Sequence, residues 1–74
     1  MLRVIFGISN DFARSATDFP TLGDVLNSPD LSVQAGWAVG QVEGKVNGVL
    51  QAGDFQLRDN DQVEVITRAN SKSN

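Results

Sequence analysis

Three carboxylates near the end of the chain have a type and spacing that could form a metal-binding site. They are Asp59, Asp61 and Glu64. Hard cations such as Ca²⁺ bind several oxygen ligands, so a cluster of this kind could hold a metal ion. The spacing, however, matches no calcium-binding loop. We therefore expect a solvated turn followed by a strand residue on the outer face, and we predict no metal site.

The residue types present also disfavour acid–base and nucleophilic catalysis. The chain contains no histidine and no cysteine, which excludes serine–histidine and cysteine–histidine mechanisms within it and removes the usual zinc ligands. Asp54 and Asp59 are then the remaining candidates for an acid–base pair. A protein of this size buries only roughly 60% of the surface of its unfolded chain, which leaves little core in which to tune a carboxyl group. We predict a non-enzymatic protein with no catalytic residue and no cofactor.

The glycine-rich segment 36–40 contains Trp37, the single tryptophan of the chain. A phosphate-binding loop would end in Gly-Lys-Ser/Thr and would connect a strand to a helix, and the sequence supports neither feature here. One interpretation of Trp37 is a packing residue that closes one end of the sheet. The other is an exposed anchor beside flexible glycines, and on that basis Trp37 is the first predicted contact residue for a partner.

Composition and charge describe an ordinary globular domain. Hydrophobic residues make up 41% of the chain and charged residues 20%. The net charge is −3 and the basic residues are scattered singly, which disfavours nucleic-acid binding. No apolar run approaches the ~20 residues that span a bilayer. We expect one domain over residues 1–69 with a polar disordered tail over 70–74, cytoplasmic, not bound to membranes, and either monomeric or a weak homo-oligomer formed through an exposed edge strand.

The first half of the chain predicts a hairpin and then a helix. Strands are expected over residues 2–8 and 12–16, with a turn between them. Thr21 is a predicted helix N-cap, and Asp24 three residues later is placed to complete a capping box. Pro29 should stop this helix, unless a helix resumes after it.

The second half predicts further strands. These lie over residues 43–46, 49–51 and 63–67, and Asn47-Gly48 is a left-handed turn signal between the first two. A sheet and a helix that each have one apolar face bury those faces against one another. We therefore predict an α+β fold with a mixed sheet of four to five strands and one short helix packed on one face.

The same region carries a family resemblance. Val46-Asn47-Gly48 is followed after six residues by the segment 55–67, Phe-Gln-Leu-Arg-Asp-Asn-Asp-Gln-Val-Glu-Val-Ile-Thr. This motif resembles the C-terminal half of TGS domains, which occur in bifunctional stringent-response enzymes, threonyl-tRNA synthetases and some GTPases. The spacing is the same, with Asn60 in place of the usual turn glycine. The wider ubiquitin-like group, including the sulfur carriers of thiamin and molybdopterin synthesis, is similar over the same stretch.

The resemblance implies a β-grasp (ubiquitin-like) fold and covers roughly the last third of the chain. It implies that Phe55 and Leu57 point into the core and that the last strand crosses the middle of the sheet. Asn60 is compatible with the turn because asparagine tolerates a positive φ. The motif is therefore a set of fold determinants rather than a catalytic signature.

Three functions are compatible with this resemblance. The leading one is a small stand-alone protein–protein interaction module, which binds and regulates a larger protein; the compact size suits a phage or mobile-element protein. The second is a sulfur carrier or ubiquitin-like modifier. The chain ends Ser71-Lys72-Ser73-Asn74, however, without the Gly-Gly whose carboxylate is adenylated. The third is an RNA-binding TGS-like module, which the negative net charge of the chain disfavours.

The predicted partner surface is the sheet face that the helix leaves bare. Alternation along the last strand places Val63, Val65 and Thr67 on one face, and the opposite face carries Gln62, Glu64, Ile66 and Arg68. Ile66 interrupts an otherwise polar face, either as a partner contact or as a packing residue. The predicted partner-binding residues are Trp37, Ile66, Glu64, Arg68, Asp59 and Asp61.

Overall fold

The computed structural model describes residues 1–68, so the tail predicted over 70–74 lies outside the described residues. Within residues 1–68 the protein is a small α+β domain with a five-stranded mixed sheet and two short helices. In chain order the elements are β1 (Leu2–Phe6), β2 (Asn10–Arg14), α1 (Leu22–Leu26), α2 (Pro29–Ala35), β3 (Val42–Val46), β4 (Val49–Gln51) and β5 (Gln62–Thr67).

The last strand occupies the middle of the sheet. The strand order is β2-β1-β5-β3-β4, with β1 and β5 parallel and every other neighbouring pair antiparallel. Two hairpins, β1–β2 and β3–β4, therefore flank the central strand β5 on its two sides. The central position expected for the last strand is confirmed.

Strand register sorts the side chains into a buried face and an open face. Val63 and Val65 of β5 lie beside Val4 of β1 and Val46 of β3, and all four are buried. Leu22 and Val25 of α1 and Leu31 of α2 complete this core on the same side. The alternation predicted for the last strand is confirmed, because Gln62 and Glu64 are exposed while Val63 and Val65 are not.

The helical region differs from the prediction of one helix. Thr21 caps α1 as expected: its hydroxyl accepts from the Asp24 backbone N–H at 3.3 Å, and the Asp24 carboxylate accepts from the Thr21 backbone N–H at 3.0 Å. A second helix then starts directly at Pro29, with the Ser28 hydroxyl as its N-cap. Proline is favourable in the first helical turn because it has no N–H to satisfy there. Pro29 thus begins α2 instead of ending the helical region.

The first hairpin is shorter than expected. β1 ends at Phe6 and β2 begins at Asn10, so the turn is residues 7–9 and not the predicted 9–11. Gly7 adopts a φ of 69°, which permits the chain to reverse there. Ile8 consequently projects fully into solvent instead of extending the strand.

Both turns of the family motif have the expected conformation. Asn47 and Gly48 have φ values of 52° and 87°, and they connect β3 to β4 as a two-residue hairpin turn. Asn60 has a φ of 77°, so it supplies the positive φ that glycine usually provides. Leu57 is buried and Phe55 packs against the core, which confirms their inward orientation.

Candidate interaction surface

The face of the sheet opposite the helices carries a mixed row of side chains. Antiparallel and parallel register place one residue from each strand side by side across its middle. In sheet order this row is Asp11, Ile5, Glu64, Lys45 and Leu50. Leu50 is 52% exposed although it is aliphatic. The open face therefore mixes aliphatic side chains with charges of both signs.

An ion pair orders one side of this face. Arg3 donates from Nε and Nη2 to the Asp11 carboxylate, with the shortest separation 2.6 Å between Nη2 and Oδ2. The hydrogen bond from Arg3 lowers the pKa of Asp11 below its ordinary value, and the same contact raises the pKa of Arg3. Both side chains are solvent-exposed, so the pair contributes little to the stability of the fold.

Ile66 is an aliphatic residue of the open face near the end of β5. It is half-buried, lies directly opposite Glu43 of β3, and follows Glu64 at the next position on the same face. On the β1 side Gly7 has no side chain, which leaves a shallow hollow of about 380 Å³ beside Ile66. An aliphatic side chain next to a hollow and flanked by carboxylates is accessible to a partner side chain. Of the predicted contact residues, Ile66 and Glu64 are brought together here.

Arg68 and the acidic turn lie at opposite ends of the central strand. Arg68 follows the end of β5, is exposed, and lines a second hollow of about 470 Å³ together with Glu43 and Leu50. Asp59 and Asp61 precede the start of the strand. The six predicted contact residues therefore do not form one compact patch.

The two aspartates of that turn have different surroundings. The Asp61 carboxylate accepts hydrogen bonds from Asn47 Nδ2 at 3.0 Å and from the Arg58 backbone N–H at 2.8 Å. Asp59 is exposed, and its carboxylate lies 3.9 Å from the amino group of Met1. Asp61 therefore connects two turns of the fold, whereas Asp59 is the one with a carboxylate open to solvent.

Trp37 belongs to the core and not to the open face. Only 7% of the side chain is exposed, its ring meets Phe6 edge-on at 5.4 Å between centroids, and its Nε1–H donates to the Leu26 carbonyl at 3.1 Å. The packing interpretation of this residue is confirmed. With so little free surface, Trp37 is left out of the surface that we propose below.

Three residues of the open face were not predicted from the sequence: Ile5, Lys45 and Leu50. The available signal for Lys45 was the alternation of β3, in which residues 42, 44 and 46 are buried while the side chains of Glu43 and Lys45 face outward. Ile5 and Leu50 gave no such signal, because an aliphatic residue in a strand predicts a buried side chain until strand pairing assigns the faces.

Among residues 1–68, no group of three or more acidic side chains is arranged to hold a metal ion. No helix within the same range is long and apolar enough to cross a membrane. Comparison of the chain with protein-family models, curated proteins and solved structures finds no match. Function is therefore inferred from the geometry of the surface itself.

Proposed function

We propose that this chain is a β-grasp interaction module, which binds a larger protein through the open face of its sheet and regulates it. The strand order supports the fold assignment, since a central last strand runs parallel to the first and two hairpins flank it. The helices between β2 and β3 cover one face only. The spacing of the Asn47-Gly48 motif to the last strand adds to this support.

One observation carries the functional proposal: aliphatic side chains are placed on the face that the helices leave bare. Ile66, Ile5 and Leu50 lie there among charged neighbours. Exposed aliphatic side chains can bury apolar area against a partner, and the charges between them restrict which partner surface fits. A surface whose hollows are open to solvent suits a protein partner better than a small molecule, which requires an enclosed pocket.

The proposal is tested by affinity capture of the tagged protein from the lysate of its native host, with quantitative mass spectrometry of the captured proteins. Ile66→Ser is the informative variant because it removes an aliphatic side chain of the open face next to Glu64 and opposite Glu43. Val33→Ser is the matched control, since Val33 is 80% exposed on α2, away from that face. Circular dichroism of both variants checks that the fold is retained.

We expect one partner that is enriched by the wild-type protein and by Val33→Ser, and lost with Ile66→Ser. Equal capture by Ile66→Ser would contradict the proposed surface. Capture of an adenylating enzyme would favour the sulfur-carrier function, and salt-dependent capture of structured RNA would favour the RNA-binding function.

A further inference from the structure

The turn between β3 and β4 contains the one Asn-Gly sequence of the chain, Asn47-Gly48. Asparagine followed by glycine is chemically labile, since glycine has no side chain to hinder attack by its own backbone nitrogen on the preceding side chain. Both residues are exposed, and there is open space around the Gly48 α-carbon. Water therefore reaches this turn in the folded protein.

The Asn47 side chain is nevertheless held at both of its polar atoms. Its Oδ1 accepts from the Gln62 backbone N–H at 2.9 Å, and its Nδ2 donates to the Asp61 carboxylate at 3.0 Å. The Asn47 backbone N–H also donates to the Gln62 carbonyl at 2.8 Å. These bonds hold the side-chain amide of Asn47 against the start of β5.

We propose that Asn47 is a site of spontaneous deamidation that these hydrogen bonds protect while the hairpin is closed. In the reaction the Gly48 nitrogen loses its proton and bonds to the side-chain carbonyl carbon of Asn47. The carbon–nitrogen bond of the amide breaks, ammonia leaves, and a five-membered succinimide remains. Water then opens the ring at either carbonyl, giving aspartate or isoaspartate. No oxidant, metal or enzyme is required.

Protection follows because ring closure and the two side-chain hydrogen bonds are mutually exclusive. The side-chain carbon must turn towards Gly48, which separates Nδ2 from Asp61 and Oδ1 from Gln62. The rate of modification therefore reports how often this corner of the sheet opens. The inference concerns the hairpin itself and does not depend on the proposed partner.

The products would not restore the closed turn. A carboxylate at position 47 lacks the Nδ2 donor and places a second negative charge against Asp61. Isoaspartate in addition inserts an extra atom into the backbone of the two-residue turn. Modification is thus expected to loosen the turn at Asn47 from the start of β5 while the β3–β5 pairing remains, and the change is irreversible.

The test follows the full chain over time in mildly alkaline buffer, with and without urea, by peptide mapping that separates aspartate from isoaspartate. In urea we expect Asn47 to be modified before every other asparagine. In native buffer its rate should fall at least about tenfold, because two side-chain hydrogen bonds must break first. Asn27, which precedes Ser28, is the internal reference.

Two variants assign the protection to the hydrogen bonds. Asp61→Ala removes the acceptor of the Asn47 amide and should speed modification in native buffer without changing the rate in urea. Asp59→Ala removes the neighbouring carboxylate in the same turn and should leave both rates unchanged. Equal rates for wild-type protein in native buffer and in urea, or an earlier modification of another asparagine in urea, would overturn the proposal. That comparison requires no variant to fold.

Discussion

At the scale of single residues, the Arg3–Asp11 pair links the titration of a surface carboxylate to the stability of the fold. The Arg3 hydrogen bond lowers the pKa of Asp11. A carboxylate whose pKa is lower in the folded state stabilises the fold above its unfolded value, and this contribution is lost as the pH falls through the folded value. Because both side chains are exposed and screened by solvent, we expect the pKa shift and its contribution to the free energy of unfolding to be small together.

The pair gives the first prediction. Arg3→Ala should raise the pKa of Asp11 back towards its ordinary value, as followed by the carboxyl chemical shift in an NMR titration. Arg14→Ala is the control, since Arg14 points to the other face of β2, where its guanidinium lies 5.3 Å from the centre of the Phe12 ring. An unchanged Asp11 titration in Arg3→Ala would show that the ion pair does not form in solution.

Asn47 gives a second prediction at this scale. Asn47→Asp and Asn47→Gly should both lower the melting temperature, because each removes the bond from Nδ2 to Asp61. Only the aspartate variant adds charge repulsion against Asp61. The decrease in its melting temperature should therefore become smaller as salt is added, whereas the decrease in the glycine variant should not change. Glycine tolerates the positive φ at this position, which makes it the cleaner control. The same salt response in both variants would contradict this account of the turn.

At the scale of elements, a glycine in the middle of β3 determines how closely α1 approaches the sheet. A β-carbon added at Gly44 would lie 2.6 Å from the Cδ1 atom of Leu22, which is fully buried. Glycine inside a strand often marks such a close approach. Gly44 is therefore required by packing and not by a turn.

The corresponding prediction concerns Gly44→Ala. The extra methyl group should lower the free energy of unfolding by about 1–3 kcal/mol through overpacking, measured by urea denaturation. Shortening the neighbour in the double variant Gly44→Ala/Leu22→Val should cost less than the sum of the two single changes. Simple additivity would show that the two side chains do not compete for the same space.

The sequence predicted those elements whose determinants are local. The Thr21 capping box, the Asn47-Gly48 turn and the alternation of the last strand each depend on a few neighbouring residues. The position of Pro29 was ambiguous, because proline both ends one helix and begins another. The short first hairpin was missed because the strand-like character of Ile8 outweighed the turn that Gly7 permits.

At the scale of the whole molecule, Trp37 connects the helical layer to the sheet. It contacts Phe6 of β1 and donates to the carbonyl of Leu26 at the end of α1. Trp37→Ala should cost about 3–5 kcal/mol, a large share of the stability of a domain this small. Trp37→Phe keeps an aromatic ring and should cost less. Equal denaturation midpoints for Trp37→Ala and Trp37→Phe would contradict this role.

The interaction surface was only partly predictable because it is a property of strand pairing. Glu64 and Ile66 were found from the alternation of one strand. Their neighbours Ile5 and Lys45 come from strands distant in sequence, and only the register of β1 and β3 places them beside β5. The type of Trp37 suggested a binding anchor, but burial depends on the whole fold and not on the residue type.

The most direct test of the open face is chemical-shift mapping of the isotope-labelled protein during titration with the captured partner. We expect the partner to shift or broaden the backbone amide signals of four residues on the open face: Ile5, Lys45, Glu64 and Ile66. Those of Val33 and Gln34 on α2 should stay in place. Perturbation confined to the helices, with the signals of the open face unchanged, would contradict the claim that this protein binds through its sheet.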